Sequence, residues 1–537
     1  MKKLPIGVAT FSKLIEDNYT YIDKTEYIYK MLNQGEIYFL SRPRRFGKSL
    51  LVSTLENLFK GNKELFKGLY IYDKYDWTQT YPVIYLDFAT IGHKNPETLE
   101  RSLNDFINMT KMKHSIELVS EDLTSKFSEL IMRIYEKHDK KVVILIDEYD
   151  KAISSHLDNI EIAKDNRDIL RSFYQVLKPN DKYIHFIFVT GISKFSKTSI
   201  FSDFNNLDDI TINPQYANIC GYTQKDLEEN FKEYTDKISK NNNVTPKLTL
   251  DLIKKWYDGY SWNGENFLYN PFSILEFFNN GKFNNYWFDT GTPKLLVDLI
   301  DKKGVDTEVL LNKNTRFSGT FPSFKLENLD FATALLQTGY LTIKEEKKRI
   351  FGESSEYKLA IPNKEVHDSL FSYILGTYTN YDESQVQPMT DNMIKYILNL
   401  DEKNLQTSFE VLLHKIPNLL YGKLKKEFEA HYQILAISWL QLLGFDVEGE
   451  VMSIKGRMDA VLKQKDNIIL IEFKFSKTEN MDTMLDDGLN QIIKNEYYKP
   501  YQNKNIILLS IAFQPRNVKC KLLDLEKALN TYKNENT

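Results

Sequence analysis

The sequence predicts an α/β protein of several domains. An N-terminal parallel sheet with helices on both faces carries a phosphate-binding loop (a P-loop NTPase domain). A helical and winged-helix-like region follows, and a second α/β domain closes the chain. Three observations predict this order. A strand, a loop ending in Gly-Lys-Ser and an apolar helix succeed one another over 37–58. A continuous apolar run over 142–146 ends in two carboxylates, Asp147 and Glu148. Near the C-terminus, Asp459 is followed on the next apolar run by Glu472 and Lys474.

Composition sets the bounds. At 537 residues the chain exceeds one ordinary core. With 42% hydrophobic and 27% charged residues it is globular. A net charge of −4 gives no overall pull toward nucleic acid, so any such surface is a local patch. Two cysteines, Cys220 and Cys520, exclude a disulfide framework and suit a reducing cytosol. The eight histidines show no paired metal spacing. No apolar run is long enough to span a bilayer, and Leu4-Pro5-Ile6-Gly7 does not begin a signal-peptide core. A cytoplasmic protein with no membrane partner is expected.

The segment up to about residue 34 precedes the first strand and is placed either over a bound base or as a packing arm. Ile37-Tyr38-Phe39-Leu40 reads as a buried strand, followed by Ser41-Arg42-Pro43-Arg44-Arg45-Phe46-Gly47-Lys48-Ser49. Backbone amides from Arg44 to Leu50, at the loop and helix start, point toward an anion. Gly47 allows close approach of a phosphate. Lys48 reaches the β- and γ-phosphates, and Ser49 offers a hydroxyl to Mg²⁺. ATP and Mg²⁺ are the cofactors this predicts. The usual pattern has glycine where this chain has Arg42.

Val83 to Phe88 reads as the next strand and 96–137 as helical. The run Val142-Val143-Ile144-Leu145-Ile146 is apolar on both faces, as in a parallel sheet. Its carboxylates stand at the strand's C-terminal edge, where such sheets bind ligands. Asp147 is assigned to Mg²⁺ and Glu148 to the general base for an attacking water. A helix over 160–177 leads to the strand 183–189 and Thr190. In ATPases with an extra strand between the phosphate-loop strand and the acidic one, this position senses the γ-phosphate.

Aromatic residues alternate with turns over 248–300, which reads as a helical lid. Helix, hairpin and helix over 331–365 read as a winged-helix-like module, with both signs of charge at its tip. The expected domains are 1–247, 248–375, linker helices over 376–403, and 404–537.

The last domain carries a second constellation. A helix over 420–443 contains Glu427, with Glu429 as a competitor. A hairpin turning about Lys465-Asp466 sets Asp459 opposite Glu472. Glu472 and Lys474 share one face, while Phe473 and Phe475 take the other. Opposed carboxylates repel unless a cation joins them. Asp followed by Glu-x-Lys is the core of the PD-(D/E)XK nucleases, with Met458 in place of the proline. Metal-assisted phosphodiester cleavage of DNA or RNA is the implied chemistry. The helix over 488–498 holds Gln491 and Tyr497, which resemble residues of RecB-like nucleases. The strand 506–512 is expected to be the last of the core.

The stretches SRPRRFGKSL, ILIDEYDKAI, FVTGISKFSKTSIFSDFNNLDDIT and GYTQKDLEE resemble the bacterial AAA-ATPase-like family. WYDGYSW, YNPFSILEFF, YWFDTGTPKLL and LLQTGYLTI fit the same family. The resemblance covers nearly the whole chain. It implies a C-terminal PD-(D/E)XK nuclease-like domain, Glu427 as an extra acidic residue, and an arginine-rich loop lacking the first glycine. Arg44 and Arg45 are then placed on the nucleotide in cis, or in trans within a homo-oligomer. The implied function is an ATPase controlling a metal-dependent nuclease. The alternative is a nucleotide-dependent binding switch without cleavage.

Overall fold

In the computed structural model, β1 (Ile37–Ser41) lies inside a parallel sheet. The model describes residues 1–195, 207–289, 316–319, 321–323, 330–348, 354–379, 392–414, 438–439, 441–442, 446–453, 456–464, 466–514 and 517–535. The chain divides into two compact units, Met1–Val366 and His367–Thr537.

The first sheet adds β2 (Val83–Asp87), β3 (Val142–Asp147), β4 (Ile184–Gly191) and the short β5 (Asp208–Asp209), in the order β2-β3-β4-β1-β5. Parallel pairing joins every neighbour. All six residues of β3 are buried, as the apolar run requires. The helix Lys48–Phe59 packs on β2, β3 and β4, and the helix Leu123–His138 packs on β3. Because β4 separates β1 from β3, the phosphate loop and the acidic strand end flank one shared crevice.

The expected boundary near 247 does not separate two bodies. The Phe46 ring sits edge-on to Tyr260 at 4.9 Å and Trp262 at 5.1 Å, so the phosphate loop and the following region share a core. Gly339, left-handed at φ 95°, ends the helix Phe331–Thr338 and admits Pro43 of the loop. A Cβ there would lie 2.8 Å from Pro43 Cβ. The hairpin of β7 (Thr342–Lys347) and β8 (Glu356–Ala360) is joined by β6 (Arg316–Ser318), which pairs with β8. Two basic residues of this hairpin are used internally. Lys344 lies over the Phe267 ring and Lys348 pairs with Glu265.

The second unit holds β9 (Asp446–Ser453), β10 (Gly456–Gln464), β11 (Asn467–Phe475), β12 (Asn505–Gln514) and β13 (Asn517–Asp524), in the order β13-β12-β11-β10-β9. Only β11 and β12 run parallel. The strand expected to close the core is followed by β13, which alternates Val518, Cys520 and Leu522 inward with lysines between. The helix Met481–Lys494 covers β11 and β12. Among the described residues no helix is long and apolar enough to cross a membrane.

The ends of the helices Pro96–His114 and Leu123–His138 meet at a histidine pair, His114 Nδ1 to His138 Nε2, 3.0 Å apart. Burial, then the charge of His138 and of Lys113 and Lys137, pulls His114 down to about 4. The unfolded chain therefore takes up this proton first, near the usual histidine value of about 6.5. Stability contributed here is intact above that value and falls as pH drops toward 4. Melting curves from pH 7 to 4.5 should fall more steeply for the wild type than for His114→Gln. Equal slopes would remove the pair from the acid response.

Candidate ATP and nuclease sites

The loop after β1 is shaped by two left-handed residues, Arg45 (φ 66°) and Gly47 (φ 91°). Arg42 is not among the positive-φ residues, so this loop makes no use of glycine's freedom at that position. Gly47 is the N-cap of the helix Lys48–Phe59 and supplies no side-chain cap. The first helical amides are thus left for an anion. Lys48 is buried, and its Nζ donates to the carbonyls of Arg42 and Pro43, each at 2.9 Å. Burial lowers its pKa, against the nearby charges of Asp147 and Asp150.

Arg42 is fully buried and does not face the crevice. Nη1 donates to the carbonyls of Ser41 (2.9 Å) and Thr211 (2.8 Å), and the guanidinium carbon lies 4.0 Å from the Trp262 ring centre. Arg44 has an exposed side chain, while its carbonyl accepts from Asn270 Nδ2 and Trp287 Nε1. Arg45 lies with its guanidinium carbon 5.0 Å from the Phe272 ring centre. The Phe46 side chain is an anchor in the core.

Opposite the loop, Asp147 is buried at the end of β3. Burial pushes its pKa up, opposed by the Ser49 hydroxyl and Lys48. Asp87, its register partner on β2, is also pushed up by burial. Glu148 has φ 51°, and its Oε2 pairs with Lys151 Nζ at 2.7 Å. Asp150 is buried and accepts from the amides of Ile192 (3.2 Å) and Ser193 (2.7 Å), fixing the turn after β4. Thr190 stands otherwise than predicted. Its hydroxyl is fully buried and donates to the Leu40 carbonyl at 2.8 Å, tying β4 to β1.

A cavity of about 600 Å³ opens between these parts. Gly47, Lys48, Ser49 and Leu50 line its floor, and Glu148 and Asp150 its acidic side. Tyr21 and Ile22 from the N-terminal segment face Phe272 and Leu275 of the helix Pro271–Asn280. Polar groups at one end and apolar ones at the other match a nucleotide. The N-terminal segment thus lies over the site.

In the second unit, β10 and β11 pair with Ala460 opposite Ile471 and Gln464 opposite Asn467. The pairing ends at Ala460, and the next residues of the two strands, Asp459 and Glu472, lie close enough to interact. Asp459 Oδ2 accepts from the Phe473 amide at 2.8 Å. Glu472 is buried, and its Oε1 has no hydrogen-bond partner among the described residues. Burial, then the Asp459 charge, holds Glu472 well above the usual carboxylate range, with Lys474 opposing. Lys474 Nζ donates to Gln491 Oε1 at 2.5 Å. Tyr497 belongs to the apolar core beneath the helix Met481–Lys494 and accepts from Asn495. Glu427 and Glu429 lie outside the described residues.

Both sites fit a divalent cation by the same test. Each holds a desolvated carboxylate beside a second one, a cost that a cation removes. Among the described residues no three His, Cys, Asp or Glu side chains converge as a ready-made metal centre. A cation here would complete its shell with hydroxyl, water or phosphate oxygens, as Mg²⁺ does.

A family model described as Predicted AAA-ATPase matches residues 5–201. A second, described as PD-(D/E)XK nuclease superfamily, matches 427–522. A protein of Azotobacter chroococcum mcd 1, named "Uncharacterized protein in vnfD 5'region", is 35% identical over 516 residues. That match spans 95% of this chain and 96% of the relative. The chain belongs to the family of predicted AAA-ATPases with a nuclease-superfamily domain.

In this AAA-ATPase family member, sequence reasoning missed two carboxylates at the crevice edge. Asp87 ends an apolar strand, as Asp147 does, and that parallel was the available signal. Asp150 stood within the motif, but its bonds to the turn after β4 depend on which strand lies next to β3.

Proposed function

We propose that the N-terminal unit binds ATP with Mg²⁺ and hydrolyses it, and that this cycle governs metal-dependent phosphodiester cleavage by the C-terminal unit. The observation that carries the reading is the pair of intact polar sites. Lys48 and Ser49 face Asp147 and Glu148 across one crevice, and Asp459, Glu472 and Lys474 share one sheet face.

At the first site Lys48 exchanges two carbonyl acceptors for phosphate oxygens, so its desolvation is already paid. The amides of Gly47 to Leu50 take the remaining oxygens. Ser49 and Asp147 would hold Mg²⁺, which would supply charge neutralisation for phosphoryl transfer. Glu148 leaves Lys151 and orients a water for attack on the γ-phosphorus. Arg45 lines the cavity and lies over Phe272 of the helix Pro271–Asn280, which supports a role on the phosphates in cis.

At the second site Asp459 and Glu472 would hold the cation, which would supply Lewis-acid activation and charge neutralisation for phosphodiester hydrolysis. Lys474 orients the attacking water or steadies the pentacovalent phosphate, and Gln491 fixes the ammonium.

The deciding experiment measures ATP turnover together with cleavage of single- and double-stranded DNA and RNA, with and without ATP. Turnover lost in Glu148→Gln with ATP binding kept, and cleavage that changes with ATP, is the expected result. Turnover unaffected by Glu148→Gln removes the general base. Absence of cleavage on every substrate leaves a nucleotide-dependent binding switch.

A further inference from the structure

The C-terminal site contains a polar group for which the Asp and Glu-x-Lys pattern has no place. Ser510 is fully buried on β12, directly beside Glu472 in the parallel register. Asp459, Glu472 and Ser510 therefore form a row across β10, β11 and β12. Ser510 Oγ has no hydrogen-bond partner among the described residues, and neither does Glu472 Oε1. Each buried polar atom left in that state costs on the order of 1–3 kcal/mol. Two such atoms on adjacent strands and one face are explained together if they complete one site.

The covering helix leaves room for this. Gly488 stands over the row, and a Cβ there would lie 2.2 Å from Ser510 Oγ and 3.5 Å from Glu472 Cβ. Any larger residue would push the hydroxyl aside or lift the helix Met481–Lys494. One turn along the same helix, Gln491 holds Lys474. The close approach at Gly488 and the Gln491 contact thus belong to one helix placement.

We propose that Ser510 is a positioning residue for the cation-binding carboxylate: its hydroxyl donates through one water to Glu472 Oε1 and presents the other carboxylate oxygen to a divalent cation. The proposal rests on the reading of Asp459 and Glu472 as cation ligands. The hydroxyl supports the ionised form in a buried place, and groups that orient ligands in this way typically change metal affinity by about 10–100-fold.

The test is Mn²⁺ binding to the full-length, nucleotide-free chain, read from the paramagnetic resonance of free Mn²⁺. The component lost in Asp459→Ala marks the site. Ser510→Ala should weaken that component about tenfold. Its melting temperature without metal should stay near wild type, and cleavage at saturating Mn²⁺ should recover to near the wild-type rate. Gly488→Ala, which displaces the hydroxyl without removing it, should weaken the same component. Wild-type affinity in Ser510→Ala overturns the role of Ser510 and leaves the carboxylate reading standing. A wild-type chain with no Asp459-dependent Mn²⁺ binding overturns both.

Discussion

Arg42→Gly, which installs the glycine usual in phosphate loops, should destabilise the N-terminal unit rather than improve it. The backbone at 42 does not use a left-handed conformation, so glycine brings only its entropic cost. What is lost is large. Arg42 is fully buried, stacks on Trp262, and supplies donors to the carbonyls of Ser41 and Thr211. Removing a large buried side chain together with its polar contacts costs about 3 kcal/mol or more. That corresponds to a fall in Tm of roughly 4 °C for a unit of this size. Arg42→Met separates packing from charge. The guanidinium is buried deeply enough that its pKa is drawn down to about 10, so part of its packing benefit offsets a desolvation cost. Methionine keeps most of the volume and should lose less than half as much stability. ATP affinity per folded molecule should be near wild type in Arg42→Met, because the side chain turns away from the cavity. A Tm for Arg42→Gly within about 1 °C of wild type would contradict the structural role assigned to this arginine.

Features fixed by local order were legible in the sequence. Gly47-Lys48-Ser49 follows a strand and starts a helix, and that order alone places its amides. The unbroken apolar run of β3 required burial on both faces, which put Asp147 at a sheet edge. Counting outward from Lys465-Asp466 gave the pairing of Gln464 with Asn467 and of Ala460 with Ile471, which brings Asp459 and Glu472 to adjacent strands at neighbouring positions. What stayed hidden depends on neighbours distant in sequence. The Thr190 hydroxyl is taken by Leu40, a contact set by β4 lying against β1. The role of Arg42 was not legible because its partner ring, Trp262, lies 220 positions on. The N-terminal segment has no periodicity to choose between its two expected placements, and Tyr21 in the cavity wall favours the one over the site. β13 was not foreseen; its lysines break the apolar run into an alternation with the buried Val518, Cys520 and Leu522.

Asp459→Asn should raise stability while abolishing cleavage. Without a cation, Glu472 carries the cost of burial beside a second carboxylate, and both push its pKa up. A carboxylate whose folded pKa exceeds its unfolded value costs stability as pH rises from the unfolded value through the folded one. At neutral pH that penalty is present in the wild type. Replacing Asp459 by Asn removes the charge term while an amide oxygen can still accept from the Phe473 amide. The expected gain is on the order of 1 kcal/mol, or roughly 2–4 °C in Tm. Stabilisation of the wild type by Mg²⁺ at this site should disappear, since a neutral amide is a poor partner for the cation. Losing the ligand forfeits several kcal/mol of transition-state stabilisation, or about a thousandfold in rate. Stability and activity thus move in opposite directions in one variant. A merely structural Asp459 predicts the reverse for stability, because deleting a packing contact lowers Tm. An unchanged cleavage rate in Asp459→Asn would show that the carboxylate row does not carry the chemistry.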